Sequence, residues 1–111
     1  MKGILIDAVN QEIKEVTFST PDEMRNLIGC ELFEVITYKN MGVHIFVDEE
    51  GMLKINKDSG AFMVSGWHHL IVGNGLCVGL NEETGQTIDC PVGVEEIENL
   101  VEFYDVTERM V

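Results

Sequence analysis

Eight residues of this chain are bracketed by a start signal and a stop signal, and they fix one short helix among segments that otherwise read as strands. Thr20 precedes Pro21, and Glu23 stands three residues after Thr20. In such a capping box the threonine hydroxyl takes a free N–H of the first turn while the glutamate reaches back to the entering backbone. Proline suits the first helical position, where no N–H is needed. Met24, Leu27 and Ile28 then form a single apolar stripe, and Gly29 can take the left-handed conformation that ends a helix. The spacing predicts a helix over Pro21–Ile28.

The flanking segments carry β-formers and turn residues. Gly3–Asp7 reads as a buried first strand and Gln11–Ser19 as its neighbour, with a turn at Asn10-Gln11. Glu31–Tyr38 and Val43–Val47 read as a hairpin about Asn40-Met41-Gly42. Asp48-Glu49-Glu50-Gly51 is a second turn, and Met52-Leu53 are expected to open another short strand. Asn56–Gly66 reads as loop. His69–Gly73 and Leu76–Leu80 flank Asn74-Gly75. They form either a tight hairpin or one long strand with a glycine bulge, and the recurring glycines favour the bent single strand. Asn81–Gly85 reads as a turn and Gln86–Asp89 as a short strand. Val94, Ile97, Leu100, Val101 and Tyr104 follow helical spacing, with acids between them, and predict a closing helix. Few helices and hairpin-like connections give an α+β fold: a mostly antiparallel sheet, one short helix in the N-terminal half and one C-terminal helix. No linker, repeat or low-complexity tract divides residues 1–111, so one domain is expected.

Charge narrows the function classes. The 111 residues carry a net charge of −13. Nine of the twenty acids lie beyond residue 81, where Arg109 is the single base. Direct binding of nucleic acid needs clustered Lys and Arg, and this chain lacks them. No apolar run approaches the roughly 20 residues of a membrane helix. Met1-Lys2-Gly3 and the three apolar residues after it do not read as a secretory signal. Cys30, Cys77 and Cys90 are odd in number and show no paired spacing, which points to reduced thiols in a cytosol.

Three short patterns share an order and spacing with known proteins. They are Leu27-Ile28-Gly29-Cys30-Glu31 at the end of the first helix, Asp48-Glu49-Glu50-Gly51 leading to Met52-Leu53, and Ile71-Val72-Gly73-Asn74. Over about Ile4 to Leu80 the chain resembles a family of small uncharacterised proteins found in bacteriophages and bacterial mobile elements. The family often has a second glycine where Cys30 stands. It also often has an asparagine shortly before the alanine that corresponds to Ala61, where this chain has Lys57-Asp58-Ser59-Gly60. The resemblance implies a phage or plasmid gene and a cytoplasmic setting in a bacterial host. It implies no activity and assigns no functional residue.

The residues that carry chemistry are few. Trp67-His68-His69 is the main cluster of ligand type, but adjacent histidines on a strand point to opposite faces. His44 and a cysteine would be needed to complete a metal site, and no ligand spacing supports one. The acids of Asp48-Glu49-Glu50 lack the spaced ligands of a calcium loop. The cysteines sit in an acidic chain that disfavours a thiolate. Gly73-Asn74-Gly75 has neither the lysine nor the helix of a phosphate loop. No nucleophile, base and oxyanion donor assemble, so no enzyme, cofactor or metal is expected. Two binding readings remain. In the first, Glu95, Glu96, Glu98 and Glu102 present an acidic face to a basic host protein, in the manner of DNA. In the second, Tyr38, Trp67 and Tyr104 line a pocket for a small molecule or nucleotide, with Ser65-Gly66 letting the ligand approach the backbone. A sheet edge, or Met41, Met52 and Met63, are the candidate contacts of a homodimer.

Overall fold

Residues 1–38, 41–54, 59–67 and 69–105 are described by the computed structural model. Its larger sheet starts from the first two predicted strands. β1 (Lys2–Asp7) pairs antiparallel with β2 (Glu12–Thr17) in the register Lys2 to Thr17 through Asp7 to Glu12. The four-residue turn between them places Gln11 at a positive φ of 55°. α1 (Pro21–Ile28) has the predicted bounds. Thr20 Oγ1 accepts from the Glu23 N–H at 3.2 Å, and the Glu23 carboxylate reaches back one residue further than the standard box, to the Ser19 N–H. Gly29 ends the helix at φ 78°.

β3 (Phe33–Tyr38) and β4 (Val43–Asp48) form the expected hairpin, with Ile36 opposite Ile45. The middle of this sheet is β7 (Gly75–Leu80), which pairs with β1 on one side and with β4 on the other. Beyond Cys77 the side held by β1 passes to β8 (Thr87–Ile88), which pairs with Gly79 and Leu80. The strand order is therefore β2-β1-β7-β4-β3, with β8 attached to β7, and all pairs are antiparallel.

A smaller antiparallel sheet has the order β6-β5-β9. It comprises β5 (Gly60–Val64), β6 (Ile71–Val72) and β9 (Val101–Asp105). α2 (Val94–Glu98) precedes β9. The two sheets enclose the main core: Ile4, Ile6, Ile36 and Ile45 from the larger one meet Phe62 and Val64 of the smaller one, with Ile97 of α2 completing the layer. On the opposite face of the larger sheet, Met24 and Ile28 of α1 pack with Phe18 against Leu76 and Val78. The result is α1, sheet, sheet: an α+β fold in three layers.

Four expectations are corrected by this arrangement. Met52-Leu53 form part of a 3-10 turn over Gly51–Lys54 rather than a strand. Both side chains are exposed, and the Leu53 N–H turns back to the Glu50 carbonyl at 2.9 Å. The stretch read as loop contains β5, whose Ala61, Phe62 and Val64 are fully buried. Residues 55–58 of that stretch, Lys57 and Asp58 among them, lie outside the described residues, as do Asn40 of the hairpin turn and His68. The segment about Gly73-Asn74-Gly75 is neither a hairpin nor one bent strand. It is a corner at which the chain leaves the smaller sheet after β6 and enters the larger one as β7, with Gly73 at φ 100°. The closing helix stops at Glu98. Val101–Asp105 pairs instead with all five residues of β5, and this ladder outweighs a helical turn whose C-terminal acids oppose the helix dipole.

Candidate functional site

The three patterns of the family resemblance are distant in sequence and meet at the corner before β7. Ile28 and Gly29, Asp48 and Gly51, and Val72 to Asn74 share the lining of one shallow cleft of about 310 Å³. The corner is closed by backbone contacts. The Gly73 N–H donates to the Gly60 carbonyl at 2.9 Å. Gly51 packs so close to the Val72 carbonyl that no Cβ would fit. Asn74 Oδ1 accepts from the Ala8 N–H at 3.0 Å, and its Nδ2 donates to the Leu27 carbonyl at 3.4 Å. One side chain thus ties the β1–β2 turn to the end of α1.

The aromatic residues divide. Trp67 and Tyr104 line a common cleft of about 340 Å³ together with Ser65, Gly66 and Glu102. Tyr38 does not line it. Its hydroxyl donates to the Ser65 carbonyl, so it braces one wall from behind. Tyr104 reaches this place from a strand, packing beside Ala61 and Val72, rather than from the predicted helix.

The candidate acidic residues lie on α2 and β9. Glu95, Glu96, Glu98 and Glu102 are all exposed. Glu96 accepts from the Gly93 N–H at 2.9 Å and so caps its own helix. Glu82, Glu83 and Asp89 are exposed as well. Among the described residues none of these seven enters an ion pair. The three ion pairs there join Lys2 to Glu15, Lys14 to Glu12 and Arg25 to Asp22, all within β1, β2 and α1.

The remaining reactive groups sit on different segments of the chain. His44 Nδ1 lies 3.2 Å from Thr37 Oγ1 on the β3–β4 pair, while the His69 ring sits edge-on to Trp67 with centroids 5.7 Å apart. Among the described residues no three His, Cys, Asp or Glu side chains converge closely enough to hold a metal ion. Burial, helped by the nearby Cys90, pushes the Cys77 thiol far above its ordinary range. Burial also raises the Cys90 thiol, against a hydrogen bond from the Val92 N–H. Both stay protonated at neutral pH and are poor nucleophiles there. Asp7 is the one buried acid among the described residues. Burial works to raise its pKa, but hydrogen bonds from the Asn10 side chain and backbone, with the charge of Lys14, outweigh it and hold the carboxyl below its ordinary value. No helix among the described residues is long and apolar enough to cross a membrane.

A two-sheet α+β protein with several open clefts is the class that this geometry defines. The chain belongs to the family described as a domain of unknown function, DUF3846, which it matches over residues 1–102. That span covers every pattern of the resemblance and runs on into β9. No curated protein and no solved structure matches the chain.

Proposed function

We propose that this chain is an accessory protein of a bacteriophage or mobile element, acting in the cytoplasm of a bacterial host by binding rather than by catalysis. Its acidic C-terminal half engages a basic host protein that otherwise holds nucleic acid. One observation carries this reading: seven exposed acids between Glu82 and Glu102 have no ion-pair partner among the described residues, while the paired bases lie in β1, β2 and α1. Acids left uncompensated in this way project a field that steers and holds a cationic surface.

Affinity capture from bacterial lysate at low salt tests the proposal, with wild-type protein beside an E95Q/E98Q/E102Q variant. The expected result is a basic nucleic-acid-binding protein retained by wild type, released as salt rises and lost from the variant. Equal retention on both, or none on either, overturns the reading.

A second reading is a module for a small molecule or nucleotide. It draws on the shared cleft of Trp67 and Tyr104, whose aromatic walls suit stacking. A thermal-shift series with nucleotides and cyclic nucleotides is expected to raise the midpoint with ligand concentration. No shift at millimolar concentrations removes this reading.

A further inference from the structure

A third cleft, of about 320 Å³, opens between the β3–β4 hairpin and the segment entering β6, and it is the most enclosed of the three. Its volume falls at the lower end of the range of small-ligand sites. Ile36, Val47 and Ile71 give it an apolar floor, Trp67 and His69 line it, and Glu34 and Glu49 add carboxylates. Sequence reading set the tryptophan–histidine cluster and the acidic turn apart as unrelated features. The fold brings them to one concavity, whose lining includes no residue of α2.

Three properties of the lining select a ligand. The indole favours a cation, with more gain where water is excluded. Glu34 and Glu49 enter no ion pair among the described residues, so their charge is available to the cleft. The acids and His69 do not converge as metal ligands, so the negative charge is spread along the lining rather than focused at a point. Spread charge beside an aromatic ring and an apolar floor fits a charged head on an aliphatic stem. It does not fit a compact metal ion, which needs several donors at about 2.0–2.6 Å.

We infer that this cleft binds an organic cation, an ammonium or guanidinium group on an alkyl stem, with Trp67 against the cation and Glu34 and Glu49 neutralising it. A free polyamine and a lysine or arginine side chain of a polypeptide share this chemistry. The inference stands independently of the acidic C-terminal face, because no residue of α2 or β9 lines the cleft.

Trp67 is the single tryptophan of the chain, so its fluorescence reports on the site directly. Purified protein is titrated with cadaverine, spermidine, Nα-acetyl-arginine amide and hexalysine, and with pentanol and Nα-acetyl-citrulline amide as uncharged counterparts. The expected result is a saturable change with the cations, weakening as salt rises and absent with the uncharged compounds. Glu34→Gln and Glu49→Gln alter exposed side chains, so the fold is retained. Each is expected to weaken binding by roughly two- to fivefold, the range of an exposed ion pair. E95Q/E98Q, which lines neither cleft that Trp67 enters, is expected to leave the titration unchanged. A stronger response to the free amines assigns a metabolite-like ligand, and a stronger response to hexalysine and the arginine derivative assigns a polypeptide side chain. The inference is overturned if no cation gives a saturable change, if the uncharged compounds respond equally, or if both glutamine variants bind like wild type.

Discussion

Asn74 shows how much of the corner rests on a single side chain. It gives the buried Ala8 N–H an acceptor and holds the last turn of α1 by its carbonyl. Asn74→Ala leaves that N–H without a partner, and an orphaned buried donor costs about 1–3 kcal/mol. Urea unfolding is expected to show a lower midpoint by that amount with the slope unchanged. Asp7, at the neighbouring turn, makes a pH-dependent contribution. Its carboxyl is held below its unfolded value, so the stabilisation is complete above the unfolded pKa and is lost as pH falls through the folded one. Asp7→Asn should therefore be less stable than wild type at pH 7, and the gap should close below about pH 4. Melting both proteins across pH 2–7 checks this; a gap that widens in acid contradicts it.

At the scale of elements, the helices differ in what holds them. α1 begins with Thr20 Oγ1 on the Glu23 N–H, and Thr20→Ala is expected to destabilise by about 1 kcal/mol in calorimetry. α2 is too short to persist alone, and Ile97 is its one buried side chain. Ile97→Ala should lose about 2–5 kcal/mol and free α2 from the core, which hydrogen exchange at 94–98 would register. This contrast also explains what the sequence made legible. α1 and the β3–β4 hairpin are specified by neighbouring residues, through a cap, a terminal glycine and a turn. β5 is buried on both faces, so Ala61–Val64 shows no alternation to mark it as a strand. β9 mimicked a helix because Val94, Ile97, Val101 and Tyr104 fit both the helical period and a short helix followed by a strand. Its true state depends on β5, some 40 residues away. The pairing of Trp67 with Tyr104 was legible as two aromatics, but the bracing role of Tyr38 depends on the Ser65 carbonyl, which no side-chain pattern announces.

For the molecule as a whole, charge is the dominant global property. A net charge of −13 on 111 residues makes the folded state repel itself, the more so because the seven acids between Glu82 and Glu102 enter no ion pair among the described residues. Raising sodium chloride from 10 to 150 mM shortens the screening length from about 30 Å to about 8 Å. The melting midpoint is expected to rise over that interval, and a fall would show that attractive pairs dominate the balance. The same screening weakens capture of a basic partner, so binding and stability should move in opposite directions with salt.

The place of β7 in the larger sheet bears on the order in which the protein is made. Its neighbours are β1, formed by the first residues, and β4, from the middle of the chain, while β7 itself begins at Gly75. A nascent chain emerging from the ribosome holds two separate hairpins until that strand is released, and nothing in the larger sheet joins them earlier. Non-local closure of this kind slows folding. The interval before Gly75 appears is therefore when the unpaired edges of β1 and β4 are open to wrong partners, and a chain truncated before residue 75 is expected to aggregate rather than fold in part.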